Sequence, residues 1–114
     1  MIEVSEDRFE ELVALALDSV PPELGRLMEN VAVMVADGTN PHLLGLYQGV
    51  PLTNRTASYG LMSMPDRITI FRGAICGICR TEDDVVRQVR VTVVHEVGHH
   101  FGIDDHRLHE LGWG

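Results

Sequence analysis

His95-Glu96-Val97-Gly98-His99-His100-Phe101-Gly102-Ile103-Asp104-Asp105 is the stretch whose reading decides the fold. On a helix, positions i and i+4 lie one above the other, so His95 and His99 can aim two imidazole nitrogens at one metal ion. Glu96 falls beside them, where a carboxylate can take a proton from a water held by that ion. Gly102 can adopt the left-handed conformation that ends a helix, which lets the chain turn and return the side chain of Asp105 to the same point. The candidate metal ligands are therefore His95, His99 and Asp105. Glu96 is the candidate catalytic base, and Zn2+ is the expected cofactor.

Working outward, the spacing predicts a helix from Glu82 to Phe101. The run Val89-Arg90-Val91-Thr92-Val93-Val94 is β-branched and alternates, which favours a strand by propensity alone. Against that, Thr81 followed by Glu82, Asp83 and Asp84 is a helix-start signature, and Val85, Val86, Val89, Val93 and Val97 share one helical face. Gly98 inside this helix costs about 1 kcal/mol relative to Ala, so a packing reason is expected, such as close approach of a strand or substrate. Upstream, Ser5 caps a first helix carrying Phe9, Leu12, Val13, Ala16, Leu17 and Val20 at helical spacing, which Pro21 and Pro22 interrupt. A short helical piece from Glu23 to Glu29, a strand from Val31 to Ala36, a second at Leu43 to Tyr47 and a third at Arg67 to Arg72 follow. Leu52 to Met64 lacks periodicity and reads as a surface loop or substrate-facing lid.

The pattern H-E-x-x-H-x-x-G-x-x-D, carried by His95, Glu96, His99, Gly102 and Asp105, resembles the zincin metallopeptidases, and the small size is similar to a family of minimal bacterial zincin-like proteins. An Asp in the last position is similar to the Asp-zincins, such as snapalysin and deuterolysin, where it serves as third ligand. The resemblance implies an α+β zincin-like fold, a small mixed sheet covered by two main helices, the C-terminal one bearing the motif. It also implies a zinc metallopeptidase whose edge strand, here Leu43 to Tyr47, binds extended substrate by strand addition. One departure is plain: metzincins place a Met-containing turn after the third ligand, whereas only His106 to Gly114 follow here, without Met. The base of the metal site must be built from elsewhere. Tyr47, His100, His106 and His109 are the candidates for an oxyanion donor or for a partner of the ligands.

Length and charge narrow the partners. A chain of 114 residues, 45% of them hydrophobic, suits one domain spanning 1–114. A net charge of −8 disfavours nucleic acid and anionic membranes, so a peptide or protein is the expected substrate. The acidic start and the lack of any run of 18 apolar residues give the expectation of a cytoplasmic protein. Oligomeric state is not legible.

Two rival readings exist. Cys76 and Cys79 with His95 and His99 give C-x2-C-x15-H-x3-H, close to a structural zinc-binding module. Against it, no aromatic separates the Cys pair from the His pair, and Glu96 would be superfluous. Two free thiols are the plainer reading. Small bacterial endoribonucleases that mature ribosomal RNA carry H-G-x-x-H-x-x-G-x-D-H, which His95, His99, Gly102 and Asp104 match. Glu96 stands where that pattern has Gly, Asp105 where it has His, and the acidic chain lacks an RNA-binding surface. His42, far upstream, is expected on a loop with no role, and the plain reading of Asp104 and Asp105 is as solvated loop acids, against the reading in which one of them ligates. His100 points about 100° away from His99 and is expected at the surface.

Overall fold

Ser5 opens the first helix by accepting a hydrogen bond from the Arg8 amide at 3.2 Å. This helix, α1, runs Glu6–Asp18 and buries Phe9, Leu12, Val13 and Ala16 on one face. The computed structural model describes residues 1–49 and 65–113, so the expected lid between Leu52 and Met64 lies outside the described residues. A short helix α2 (Pro22–Leu27) follows, with Pro22 at its first turn, where a missing amide hydrogen costs nothing. It starts one residue earlier and ends two earlier than the sequence suggests.

Three strands come next: β1 (Val31–Ala36), β2 (Gly45–Gln48) and β3 (Asp66–Phe71). They form a mixed sheet in the order β1-β3-β2, with β3 parallel to β1 and antiparallel to β2. The second strand forms two residues later than expected at its start. Asn40 explains this: its carbonyl accepts from Leu43 N–H at 3.0 Å and its side chain from His42 N–H at 2.9 Å, which holds a turn through the predicted strand start.

Two helices escape the sequence reading. Helix α3 (Arg72–Ile78) leaves β3 without a break, contains Gly73 and Gly77, and has no side-chain cap. Burial of Ala74, Ile75 and Cys76 stabilises it in place of local signals. The other is α5 (Asp105–Glu110), described below.

The long helix α4 spans Glu82–His100. Its start is a reciprocal capping box: Thr81 Oγ1 accepts from Asp84 N–H at 3.1 Å, and Asp84 Oδ2 accepts from Thr81 N–H at 3.3 Å. Arg80 N–H also donates to Asp84, at 3.1 Å, and these backbone bonds, that from Arg80 first, hold the Asp84 carboxyl below its ordinary pKa. Arg8 donates to Glu82 at 2.8 Å, tying α1 to the same end.

Helix α4 packs on β2 and β3, and α1 packs on α4. Val85, Val89, Val93 and Val97 of α4 are fully buried together with Ile68 and Ile70 of β3 and Phe9 and Leu12 of α1. Each such side chain contributes about 1.5–3 kcal/mol on burial. Tertiary packing thus overrides the β propensity of the valine run. The result is the α+β arrangement expected, with the motif at the C-terminal end of the helix beneath the sheet. No described helix is long and apolar enough to cross a membrane.

Candidate metal centre and its cleft

Helix α4 ends at the motif through two backbone bonds. Gly102, at φ 80°, sends its N–H to the His99 carbonyl at 3.1 Å, and Ile103 N–H reaches the Gly98 carbonyl at 2.8 Å. This pair of bonds around a left-handed residue reverses the chain. Asp104 then caps α5, its carboxylate accepting from Arg107 N–H at 2.8 Å. Asp105 is the first residue of that helix and points back at the two histidines.

His95 Nδ1 lies 3.1 Å and His99 Nε2 2.9 Å from the same oxygen, Asp105 Oδ1. The imidazole rings sit 4.1 Å apart. All three donor atoms fall within 4.8 Å of one another. Tetrahedral zinc, with bonds of about 2.0–2.2 Å, separates its ligand atoms by about 3.3–3.5 Å. His99 Nε2 and Asp105 Oδ1, now at hydrogen-bond distance, would part by about half an ångström to admit the ion, and two nitrogens with one carboxylate oxygen are a donor set that suits it. Among the described residues, this is the only group of three or more such side chains placed to hold a metal.

The competing candidates are placed elsewhere. Asp104 is used as a helix cap rather than lying in an open loop. His106 is exposed and faces Glu110, its Nε2 3.6 Å from the carboxylate. Cys76 and Cys79 belong to α3 and its end, beyond the opposite end of α4, and Glu82 to His95 alone is a rise of roughly 20 Å. The four-ligand arrangement of Cys76, Cys79, His95 and His99 is therefore not formed. Both cysteines are free and buried, and burial pushes their thiols up, away from the thiolate a metal needs.

Two hollows flank His95. One, of about 420 Å³, runs between α4 and the turn leading into β2 and is lined by His42, Leu43, Gly45, Thr92, His95 and Glu96 among others. Among the described residues, strand β2 is the sheet edge beside it. A Cβ on Gly45 would stand 2.6 Å from Thr92 Cγ2, so bare backbone at the strand start is pressed against α4 one turn before His95. His42, expected to have no role, lines this cleft with Glu96. Nothing in its local sequence signals that, because the placement comes from the Asn40 turn and the Gly45 contact.

The second hollow, about 280 Å³, lies between α4 and α5 and is lined by Val91, Val94, His95, Asp105, Leu108 and His109. Leu108 explains Gly98. A Cβ at position 98 would come within 2.9 Å of Leu108 Cδ2, so the reason for the glycine is the last helix rather than a strand or substrate. His109 stands one helical turn after Asp105, on the same side. Tyr47 and His100 form a separate cluster. Tyr47 donates its hydroxyl to Asp66 Oδ2 at 2.8 Å and stacks on His100 at 3.9 Å, and His100 Nε2 lies 3.6 Å from the same oxygen.

The family model of zincin-like metallopeptidases matches residues 27–113. Among solved structures, a conserved hypothetical protein from T. thermophilus shares the fold, with a TM-score of 0.54 and 22% identity over 85% of this chain and 94% of that one. No curated protein matches.

Proposed function

Since the chain belongs to the zincin-like metallopeptidase family, we propose that it is a zinc-dependent peptidase that hydrolyses peptide bonds with water, using His95, His99 and Asp105 as ligands and Glu96 as general base. The observation that carries this reading is the convergence of the three donor atoms at one end of α4, with Glu96 lining the adjoining cleft. When bound, zinc supplies a Lewis acid that polarises a carbonyl and acidifies water. A carboxylate in place of a third imidazole makes the site less positive, which leaves more of the proton abstraction to Glu96.

Glu96 takes the proton of the attacking water as its oxygen bonds to the scissile carbonyl carbon. The same carboxyl returns that proton to the leaving amine as the C–N bond breaks. The edge of β2 offers backbone donors and acceptors along the cleft, where an extended peptide can align by strand addition. Of the candidate donors to the developing oxyanion, His109 lines the hollow between α4 and α5, and His42, which the sequence did not mark for a role, lines the other hollow beside the metal ligands. Tyr47 and His100 are engaged with Asp66. The substrate is thus a peptide or protein segment, and the acidic chain favours neutral or cationic ones. The reading is of a cytoplasmic enzyme with no nucleic-acid or membrane partner.

The test is Glu96→Gln. The variant keeps its zinc and its fold and loses peptide hydrolysis by about 10²- to 10⁴-fold, because Gln retains the shape and lacks the base. Undiminished turnover in this variant contradicts the assignment. So does a wild type that cleaves RNA and no peptide.

A further inference from the structure

Asp105 is the ligand with the weakest covalent claim to its position. His95 and His99 are fixed by one continuous helix, whereas Asp105 belongs to a six-residue helix that begins after a chain reversal. A helix of that length has no stability of its own, so something must hold its orientation. The reversal fixes where α5 starts, through the Gly102 and Ile103 amide bonds. It does not fix the roll of α5 about its axis, and roll decides where the Asp105 carboxylate points.

One side chain of α5 is buried, Leu108, at 2% exposure. It is three residues after Asp105 and sits in the notch left by the missing side chain of Gly98, in the turn of α4 between His95 and His99. The far end of α5 is closed around the same residue, with Trp113 N–H on the Leu108 carbonyl at 2.9 Å. Val94 and Leu108 together line the hollow next to His95 and Asp105.

We propose that Leu108, seated in the Gly98 notch, is the positioning residue that sets the roll of α5 and so holds Asp105 against His95 and His99. The inference rests on the ligand set of the preceding reading. It adds that the affinity of the site is governed by the size match between positions 98 and 108, neither of which touches the metal.

Zinc affinity, measured by competition with a chromophoric chelator, tests it without reference to activity. Leu108→Ala weakens zinc binding by about 10- to 100-fold, the range for residues that orient a ligand. A series at position 98 gives a graded loss: Gly98→Ala a few-fold, because Leu108 Cδ2 is the movable end of its side chain, and Gly98→Val more. Combining Gly98→Val with Leu108→Ala restores most of the loss. Leu12→Ala, an equally buried change in α1 away from the site, leaves zinc affinity unchanged even though it loosens the core. Unaltered affinity in both Leu108→Ala and Gly98→Val overturns the proposal, as does a loss in Leu12→Ala equal to that in Leu108→Ala. Should Leu108→Ala not fold, the graded Gly98 series decides alone. Zinc binding that survives His99→Ala would instead overturn the ligand set itself.

Discussion

His99 and His100 are neighbours in the chain, each faces an aspartate, and the two end in opposite surroundings. Around His99, the Asp105 carboxylate is open to solvent, with 69% of its side chain exposed, and a second imidazole shares its oxygen. Around His100, the Asp66 side chain is 12% exposed and receives the Tyr47 hydroxyl, while the Tyr47 ring stacks on His100. The first cluster brings three exposed ligand atoms together beside a cleft, with Asp105 Oδ1 at hydrogen-bond distance, 2.9 Å, from His99 Nε2. The second engages its donors within the protein and ties three elements together: the edge strand β2, the central strand β3 and the end of α4. Both combine histidine with aspartate. What separates a candidate site from a scaffold is whether three ligand atoms converge at an exposed point, and side-chain inventory does not reveal that.

Substitutions on the two sides should therefore fail differently. The largest effect is expected for His99→Ala, which removes a ligand and with it zinc binding and hydrolysis, while His100→Ala keeps about one zinc per chain. Metal analysis of both proteins checks this, and equal zinc content in the two would erase the distinction. Next comes the third ligand: Asp105→Ala weakens zinc affinity severely, whereas Asp104→Ala and His106→Ala have lesser effects. Zinc lost in His106→Ala and kept in Asp105→Ala would show that the turn after Gly102 delivers a different residue.

On the scaffold side the effects are of stability. Tyr47→Phe takes a donor from the buried Asp66 carboxylate and should cost about 1–3 kcal/mol in denaturant unfolding, with zinc affinity unchanged. At the far end of α4, Thr81→Ala removes half of the capping box and should cost about 1 kcal/mol, again without effect on zinc. The smallest change is expected from replacing Cys76 and Cys79 together by Ser, which leaves zinc stoichiometry intact. Loss of the metal in that variant would favour the rival sulfur site.

What the sequence made legible follows the same division. Helix α4 could be read through its misleading valine alternation because Thr81 and Asp84 mark its start and the histidine pair demands helical spacing. The juxtaposition of His95, His99 and Asp105 could be anticipated from a local offset and one left-handed glycine. Features set by distant contacts were hidden. The turn at Asn40 shifted β2 and carried His42 into the cleft, and burial alone made α3 a helix. Helix α5 did leave a trace, an Asp104 cap followed eight residues later by Gly112, but so short a segment reads as a loop until Leu108 is seen to fill the gap at Gly98. Neither Tyr47 nor Asp66 carries any sign that they meet at His100.

The central claim is that one end of α4 and the first residue of α5 form the metal centre. A crystal structure of the zinc-loaded protein, with the ion identified by its anomalous scattering, tests it most directly. The account predicts a single zinc bonded to His95, His99 and Asp105 at about 2.0–2.2 Å, with its remaining position facing the cleft lined by Glu96. Zinc on Cys76 and Cys79, or on His106 in place of Asp105, would contradict it.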